Sequence, residues 1–524
     1  MSADSTPAPG GDAVASAPPV PAKPKRASAR DLIAEVFDPG SWTSWDDTPV
    51  TVADPGSDYA NDLVRAAEKS GVDEAVLTGE GMIKGHRVAA VLSEFSFLAG
   101  SVGLAAAERI VAAFERATRE RLPLFSGTAS GGTRMQEGTP AFVTMVKITA
   151  AVAEFKQAKL PYITYLRHPT TGGVFASWGS TGHVTVAEPG ATVGFLGARV
   201  YEALYGEKFP EGVQTAENLF EHGLLDAVLK PATLRNIASR LLDILAPSTH
   251  GKAARGPADA PITPDELPDT PAWESITISR REDRPGVRTL LRVGADPQLN
   301  LFGTGTGEWD RSMLLALARF DGLPCVVLGQ DRRAQSADSP LQPSGLRVAR
   351  RGMQLAKDLG LPLISVIDTA GAALSKEAEE GGMAGEIARC LADLVTLEVP
   401  TICVLLGQGT GGGALALLPA DRVISAEHSW LSPLPPEGAS AILYRTPDRA
   451  PELAAVQRVR SRDLLADGIV DRIVPELPDA AEEPEAFAHR MAAAISDEAA
   501  GLLALDHEER LARRMRRYRQ LGLG

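Results

Sequence analysis

Leu160–Phe195 reads LPYITYLRHPTTGGVFASWGSTGHVTVAEPGATVGF, and the reading of this stretch decides the fold. Leu160-Pro161 opens a β-rich run, Tyr162–Leu166, with the length and composition of a buried strand. Thr170-Thr171-Gly172-Gly173 then turns the backbone into Val174–Thr181, an apolar small-residue segment that predicts a helix. His183–Ala187 predicts a second strand. A glycine pair between strand and helix leaves main-chain N–H groups unshielded at the positive end of a helix dipole. Such a junction can hold a negative oxygen. It can equally be a tight turn where two elements pack closely.

Upstream, Asp31–Phe37, Asp58–Ser70, Leu104–Glu120 and Ala141–Gln157 read as helices. Ala75–Thr78, Gly81–Lys84, Arg87–Phe95 and Leu122–Phe125 read as strands, the last ending in the glycine-rich loop Ser126–Gly138, SGTASGGTRMQEG. Downstream come a helix Ala216–His222, a strand Leu224–Leu229 and a helix Leu234–Leu245. Residues 1–30 have the Ala/Pro/Ser/Gly bias of a disordered tail, and the aperiodic, Pro-rich residues 247–272 read as an interdomain linker. The rest then echoes what came before. Leu122-Pro123-Leu124 returns as Leu361-Pro362-Leu363, and the same offset of 239 carries Pro161 onto Pro400, Gly172-Gly173 onto Gly411-Gly412 and Ala187-Glu188 onto Ala426-Glu427. A register held without gaps over about 65 residues marks an internal repeat. The expected fold class is α/β, as two tandem domains, 31–246 and 273–524.

With 524 residues the chain exceeds one hydrophobic core. A net charge of −14 argues against a general nucleic-acid or anionic-membrane surface. Cys325, Cys390 and Cys403 form no CxxC pair and read as buried hydrophobes in a reducing compartment, with neither zinc site nor disulfide framework. No signal-peptide core or membrane-length apolar run occurs, so a cytoplasmic location is expected. His507–Gln520 predicts a basic helix, either a solvated face or a contact for an acidic partner.

Each domain carries two strand-end glycine loops: Ser130-Gly131-Gly132 with Thr171-Gly172-Gly173, and Thr369-Ala370-Gly371 with Thr410-Gly411-Gly412-Gly413. If neighbouring parallel strands bring each pair together, N–H donors converge on one oxygen in an oxyanion hole. Neither GxxxxGK[ST] nor a properly placed GxGxxG competes as a phosphate cradle. The side chains offer less. His168 and His183 read as structural, Glu188 and Glu427 as repeat-equivalent residues that turn the chain, and Asp368 as a loop-orienting or turn-capping carboxylate. Arg134 can meet a phosphate or carboxylate, or only a neighbouring glutamate.

Several motifs in one order resemble a known family. SGTASGGTRMQEG, LPYITYLRHPTTGGVFAS and VAEPGATVGFLGARV resemble the β subunit of bacterial acetyl-CoA carboxylase carboxyltransferase; VIDTAGA, VPTICVLLGQGTGGGALAL and PPEGASAILYRT resemble its α subunit. The chain looks like a fused β/α carboxyltransferase of the actinobacterial acyl-CoA carboxylase type. The resemblance implies tandem crotonase-like domains (ClpP/crotonase superfamily), the first binding acyl-CoA and the second biotin, meeting across a homodimer or higher oligomer. It implies carboxyl transfer from carboxybiotin to acetyl-CoA or propionyl-CoA, with malonyl-CoA feeding fatty acid biosynthesis. Gly131, Gly132, Gly172 and Gly173 would then hold the enolate oxygen, and Ala370, Gly371, Gly411 and Gly412 the ureido oxygen. Ser130, Arg134 and Thr171 would contact CoA; Thr369, Thr410 and Gly413 would contact biotin; Leu415–Leu418 would line the acyl end. Biotin carboxylase and a biotin carboxyl carrier subunit would be partners, since no biotinylated lysine motif is present. The family's zinc ribbon is missing, so no metal is expected, and DTAGA stands where DTPGA is usual. That altered loop keeps two alternatives open: a biotin-independent malonyl-thioester decarboxylase and a non-catalytic paralogue within a carboxylase complex.

Overall fold

The computed structural model describes residues 26–50, 52–196, 198–246, 266–336 and 339–522. Most of the expected tail and linker lies outside these. The described parts of both are shorter than expected: Ser28 already caps the helix Ala29–Val36, and the helix Ala272–Ser279 begins within the expected linker.

Two sheets carry the repeat. The first contains β1 (Thr43–Ser44), β2 (Val76–Ile83), β3 (His86–Ser93), β4 (Leu124–Ser130), β5 (Tyr162–Thr171), β6 (Val184–Ala187), β7 (Val193–Gly194) and β8 (Ala227–Val228). The second contains β9 (Gln298–Leu301), β10 (Met313–Phe320), β11 (Leu323–Gln330), β12 (Leu363–Thr369), β13 (Thr401–Thr410), β14 (Arg422–Ala426), β15 (Trp430–Ser432) and β16 (Arg472–Val474). Their orders match: β1-β2-β3-β4-β5-β6-β8 with β7 on β5, and β9-β10-β11-β12-β13-β14-β16 with β15 on β13. β1, β2 and β3 pair antiparallel, as do β9, β10 and β11, and the remaining ladders of both sheets are parallel. The β2–β3 and β10–β11 hairpins both turn on two positive-φ residues, Lys84-Gly85 and Asp321-Gly322, the conformation that suits the twist of paired strands.

The strands β4 and β5 map onto β12 and β13 residue for residue at the 239 offset. Even the irregularity repeats, falling between Thr128 and Ser130 in one sheet and between Ile367 and Thr369 in the other. Some boundaries differ from expectation. β2 is one strand rather than two, because Gly79 and Gly81 stay in the ladder and leave room for the rings of Trp42 and Phe37. β4 continues through Ser130, five residues into the expected loop, and β5 runs on to Thr171. Val174–Thr181 forms only a short π-helical turn, Phe175–Gly179, and the strand expected over Leu224–Leu229 shrinks to β8.

One apolar cluster joins the halves, with Phe125 and Ile163 from the first and Leu315 and Leu346 from the second. The helix Pro231–Leu245 touches both β2 and β10. On the outer face of the first sheet, Phe114, Phe155 and Tyr162 meet edge-to-face at centroid distances of 5.3 to 6.3 Å. Each such pair adds roughly 0.5–1.5 kcal/mol beyond area burial. The halves are also pinned by charge. Asp358 of the second accepts from Lys156 of the first at 2.9 Å, and Arg351 grips Asp226 at 2.8 and 3.0 Å.

Candidate active site

The parallel strands β4 and β5 end side by side, so the loops that follow them meet. A β-carbon built on Gly172 would lie 3.2 Å from the Cα of Gly132, an approach that a side chain would wedge open. Gly132 and Gly172 have φ of 108° and 66°, and their counterparts Gly371 and Gly411 have 131° and 64°. The repeat therefore preserves the left-handed turns as well as the residues. It also preserves a brace: the Gly132 amide donates to Ser130 Oγ at 3.0 Å, and the Gly371 amide to Thr369 Oγ1 at 3.1 Å.

These hydrogen bonds sort the glycine amides. Gly131 donates to the Ala99 carbonyl at 2.9 Å, Gly132 to Ser130, and Gly172 to the Phe195 carbonyl at 3.0 Å. Gly173 has no hydrogen-bond partner for its N–H among the described residues. Of the four glycines expected to hold an oxygen in the first half, Gly173 is the one with an available donor. The other three shape the turn. In the second half Gly371 is likewise committed, while Gly412 lies in the first turn of the helix Gly411–Leu415, where amides have no intrahelical partner. The position matching Ala99 at the 239 offset lies outside the described residues.

The three residues expected to contact CoA are each engaged with protein groups. Arg134 is fully buried, bonded to both carboxylate oxygens of Glu74 and, at 2.8 Å, to the Ser101 carbonyl. A guanidinium so enclosed cannot reach a phosphate, so its role is to brace the loop. Tyr59 and Glu137 complete the network, and burial together with the hydrogen bond to Glu137 pushes the Tyr59 hydroxyl up to about 12. Ser130 is buried behind Gly132, and Thr171 Oγ1 donates to the Ser130 carbonyl at 3.3 Å. What the first loop offers a ligand is an open cleft of about 560 Å³ lined by Leu98, Ala99, Gly131, Thr133 and Met135. Leu98, Ala99 and Gly100 all have positive φ, a run that local sequence did not signal. Its purpose is visible in the Ala99 carbonyl that receives Gly131.

In the second half, Thr369 Oγ1 donates to Gln335 at 2.6 Å, but Thr410 Oγ1 is buried with no hydrogen-bond partner among the described residues. Its repeat mate Thr171 is satisfied, so the two halves differ here. The Gly413 carbonyl accepts from Gln330 Nε2 at 2.7 Å, while Gln330 Oε1 accepts from the Asp368 amide at 3.2 Å. This buried glutamine ties the two loops together, a function invisible from its place at the end of β11. Asp368 accepts from the Gln408 amide at 3.1 Å, and burial pushes its carboxyl up from the ordinary range. It thereby fixes the backbone at the end of β13. Leu415 is 46% exposed beside the glycines, whereas Leu417 is wholly buried core and cannot line an acyl site.

The histidines are structural. His168 Nδ1 accepts from the Thr192 amide at 3.1 Å and His183 Nδ1 from the Tyr162 amide at 3.0 Å. Glu188 and Glu427 accept from the amides of His168 and Glu476, which is chain-turning work. Among the described residues, no group of three or more His, Cys, Asp or Glu side chains could hold a metal.

Paired glycine turns at the ends of neighbouring parallel strands occur twice in this α/β chain, once in each sheet. The chain belongs to the carboxyl transferase family, whose domain model matches residues 29–510. It is 58% identical over 498 residues to a probable biotin-dependent acyl-coenzyme A carboxylase beta3 subunit of Mycobacterium tuberculosis, covering 95% of this chain and 99% of that one. It is 38% identical to the acetyl-coenzyme A carboxylase carboxyl transferase subunits beta/alpha of Parafrankia, covering 95% and 86%. Among solved structures, transcarboxylase 12S superposes with a TM-score of 0.68 at 20% identity over 88% of each chain. The fold is thus the tandem crotonase-like one that the motifs implied.

Proposed function

We propose that this chain is the carboxyltransferase component of a biotin-dependent acyl-CoA carboxylase. It moves a carboxyl group from carboxybiotin, borne on a separate carrier subunit charged by biotin carboxylase, to the α-carbon of acetyl-CoA or propionyl-CoA. The products are malonyl-CoA, a precursor for fatty acid biosynthesis, or methylmalonyl-CoA. The duplicated pair of glycine turns is the observation that supports this reading, because the transfer develops negative oxygen on two molecules in turn. The names of its relatives support it.

In the first half, the Gly173 amide holds the thioester oxygen as the α-proton leaves; one such donor is worth roughly 3–4 kcal/mol in the transition state. Leu98–Gly100 and the Arg134–Glu74 pair keep that amide in place. The second half suits a ureido oxygen, since Thr410 Oγ1 is a buried hydroxyl in want of a partner and Gly412 presents a first-turn amide. When bound, carboxybiotin supplies the carboxyl group and then a ring nitrogen able to take the α-proton. The residues near the loops accord with that division of labour: His168 and His183 are engaged with amides, leaving backbone donors as the working groups.

A dimer that faces one protomer's first half to its partner's second completes the reading. Met135 and Leu374 are 83% and 94% exposed at matching repeat positions beside the loops, apolar surface of the kind that an interface covers. We place the reaction in the cytoplasm, in keeping with three free buried thiols that burial makes unreactive. Incubating the purified protein with malonyl-CoA and free biotin tests the reading. Biotin-dependent loss of malonyl-CoA is expected. Biotin-independent release of CO2 would make it a decarboxylase, and inertness even with the cognate carrier a non-catalytic paralogue.

A further inference from the structure

The helix His507–Gln520 is solvated along much of its length, but two of its arginines, Arg510 and Arg514, are buried against the second half. Arg514 is buried, bonded to Asp421 at 2.8 and 2.6 Å and to the carbonyls of Leu394, Leu397 and Val399. This docking lies where the parallel strands of the second sheet begin. The ten-residue β13 separates it from the glycine loops by roughly 30 Å at about 3.3 Å per residue.

Beside the docked helix is a cavity of about 340 Å³ lined by Arg422, Arg510, Arg513, Arg514 and Arg517, with Asp421 and Glu498. Most of these charges are paired. Asp421 takes Arg514, Asp471 takes Arg517 at 2.6 Å, Glu498 takes Arg422 at 3.2 Å, and Glu509 takes Arg513. Among the described residues, Arg510 alone of the five has no carboxylate within hydrogen-bond distance: its Nη2 donates to the Glu398 carbonyl, and Asp421 and Asp506 act on it from farther away. That side chain is 7% exposed, yet among the described residues its Nε has no hydrogen-bond partner and stands 3.8 Å from Asp421, a carboxylate already held by Arg514. Burial, with Arg514 beside it, pulls the Arg510 guanidinium down from its usual value against the opposing pull of Asp421 and Asp506.

We propose that this cavity binds a small phosphate-bearing anion, gripped by Arg510 and Arg513 of the terminal helix and by Arg422 at the start of β14. Guanidinium forks match phosphate oxygens in charge and geometry, and the volume is that of a small-ligand site. A ligand bridging these residues clasps the terminal helix to the second half. It does so without entering the reaction centre.

Thermal unfolding and hydrogen exchange of the full chain in rising inorganic phosphate or pyrophosphate test this, against potassium chloride at equal ionic strength. The expected result is a saturable rise in Tm with slower exchange over His507–Gln520, lost in Arg510→Gln. Gly501 lines the cavity with nothing within 4 Å of a β-carbon built on it, so Gly501→Glu supplies the site with its own carboxylate. That variant is expected to keep or raise Tm in chloride and to weaken the phosphate response about tenfold or more. It also decides the matter if Arg510→Gln does not fold. A phosphate effect no larger than that of chloride, an undiminished effect in Gly501→Glu, or saturation by an acidic peptide but not by phosphate would overturn the proposal.

Discussion

Gly132→Ala separates shaping the turn from donating the hydrogen bond. The new methyl would lie 3.5 Å from the Cα of Gly172 and 3.6 Å from the nitrogen of Gly173, over the one amide of the four loop glycines that has no acceptor among the described residues. An oxygen accepting from that amide needs to come within about 3 Å of it, so methyl and oxygen compete for one space. An alanine at φ of 108° also strains the backbone. That strain costs about 1–3 kcal/mol, enough for a Tm drop of several degrees. Losing the donor should cut kcat about 10²–10³-fold, or roughly 3–4 kcal/mol. Gly371→Ala is the built-in control. Its φ is 131°, but the methyl would meet only the Thr410 methyl at 3.8 Å, so it pays strain without covering an amide. Its kcat should fall by less than about tenfold. Initial rates of carboxyl transfer from the carboxylated carrier, with Tm measured in parallel, give the comparison. Equal losses in the two variants, or a Gly132→Ala rate within about threefold of wild type, would refute the assignment of Gly173.

Four other outcomes follow from the same geometry. Arg134→Met should lower stability by about 3–5 kcal/mol in denaturant titrations by stranding Glu74, while the KM for acyl-CoA of the folded fraction stays unchanged. Gln330→Leu leaves the Asp368 amide and the Gly413 carbonyl unpaired, at about 1–3 kcal/mol each; kcat should fall through the biotin half, with acyl-CoA affinity in direct binding unaffected. Leu415→Ala should change relative rates along an acyl-CoA chain-length series, whereas Leu417→Ala should cost about 2–5 kcal/mol of stability and leave that preference alone. Burial opposes the charge on Asp358, but the His183 ring and the Lys156 ammonium outweigh it and hold its carboxyl well below the ordinary value. The clamp therefore stabilises the fold fully above the unfolded carboxyl's pKa near 3.8, and the contribution is lost as pH falls through the lower folded value. Asp358→Asn should accordingly flatten the acid limb of a stability–pH curve.

The repeat was legible because a buried parallel strand needs an apolar run of fixed length and the turns after it need glycine. Both leave marks at fixed spacing, and the 239 offset reproduced even the strand irregularities. Hydrogen-bond satisfaction left no such mark. Gly131 loses its free amide to Ala99, 32 positions earlier in the chain, and Arg134 loses its free charge to Glu74, 60 positions earlier. Thr171 and Thr410 look alike in sequence, but only the first finds a partner for its hydroxyl. The terminal helix was readable as a helix from its spacing. Its docking was not, because it depends on carbonyls at the end of another helix that periodicity does not place.

The apolar cluster shared by the two halves makes the peptide connection between them largely a matter of stoichiometry. Phe125 and Ile163 on one side, and Leu315 and Leu346 on the other, would be exposed together if the halves parted, at roughly 25 cal/mol for each Å² of apolar surface. Cleaving the chain between residues 246 and 266 should therefore yield two fragments that travel as one particle. Fusion, on this view, guarantees equal supply of two pieces that already recognise each other, and frees each glycine loop to change without loosening the join.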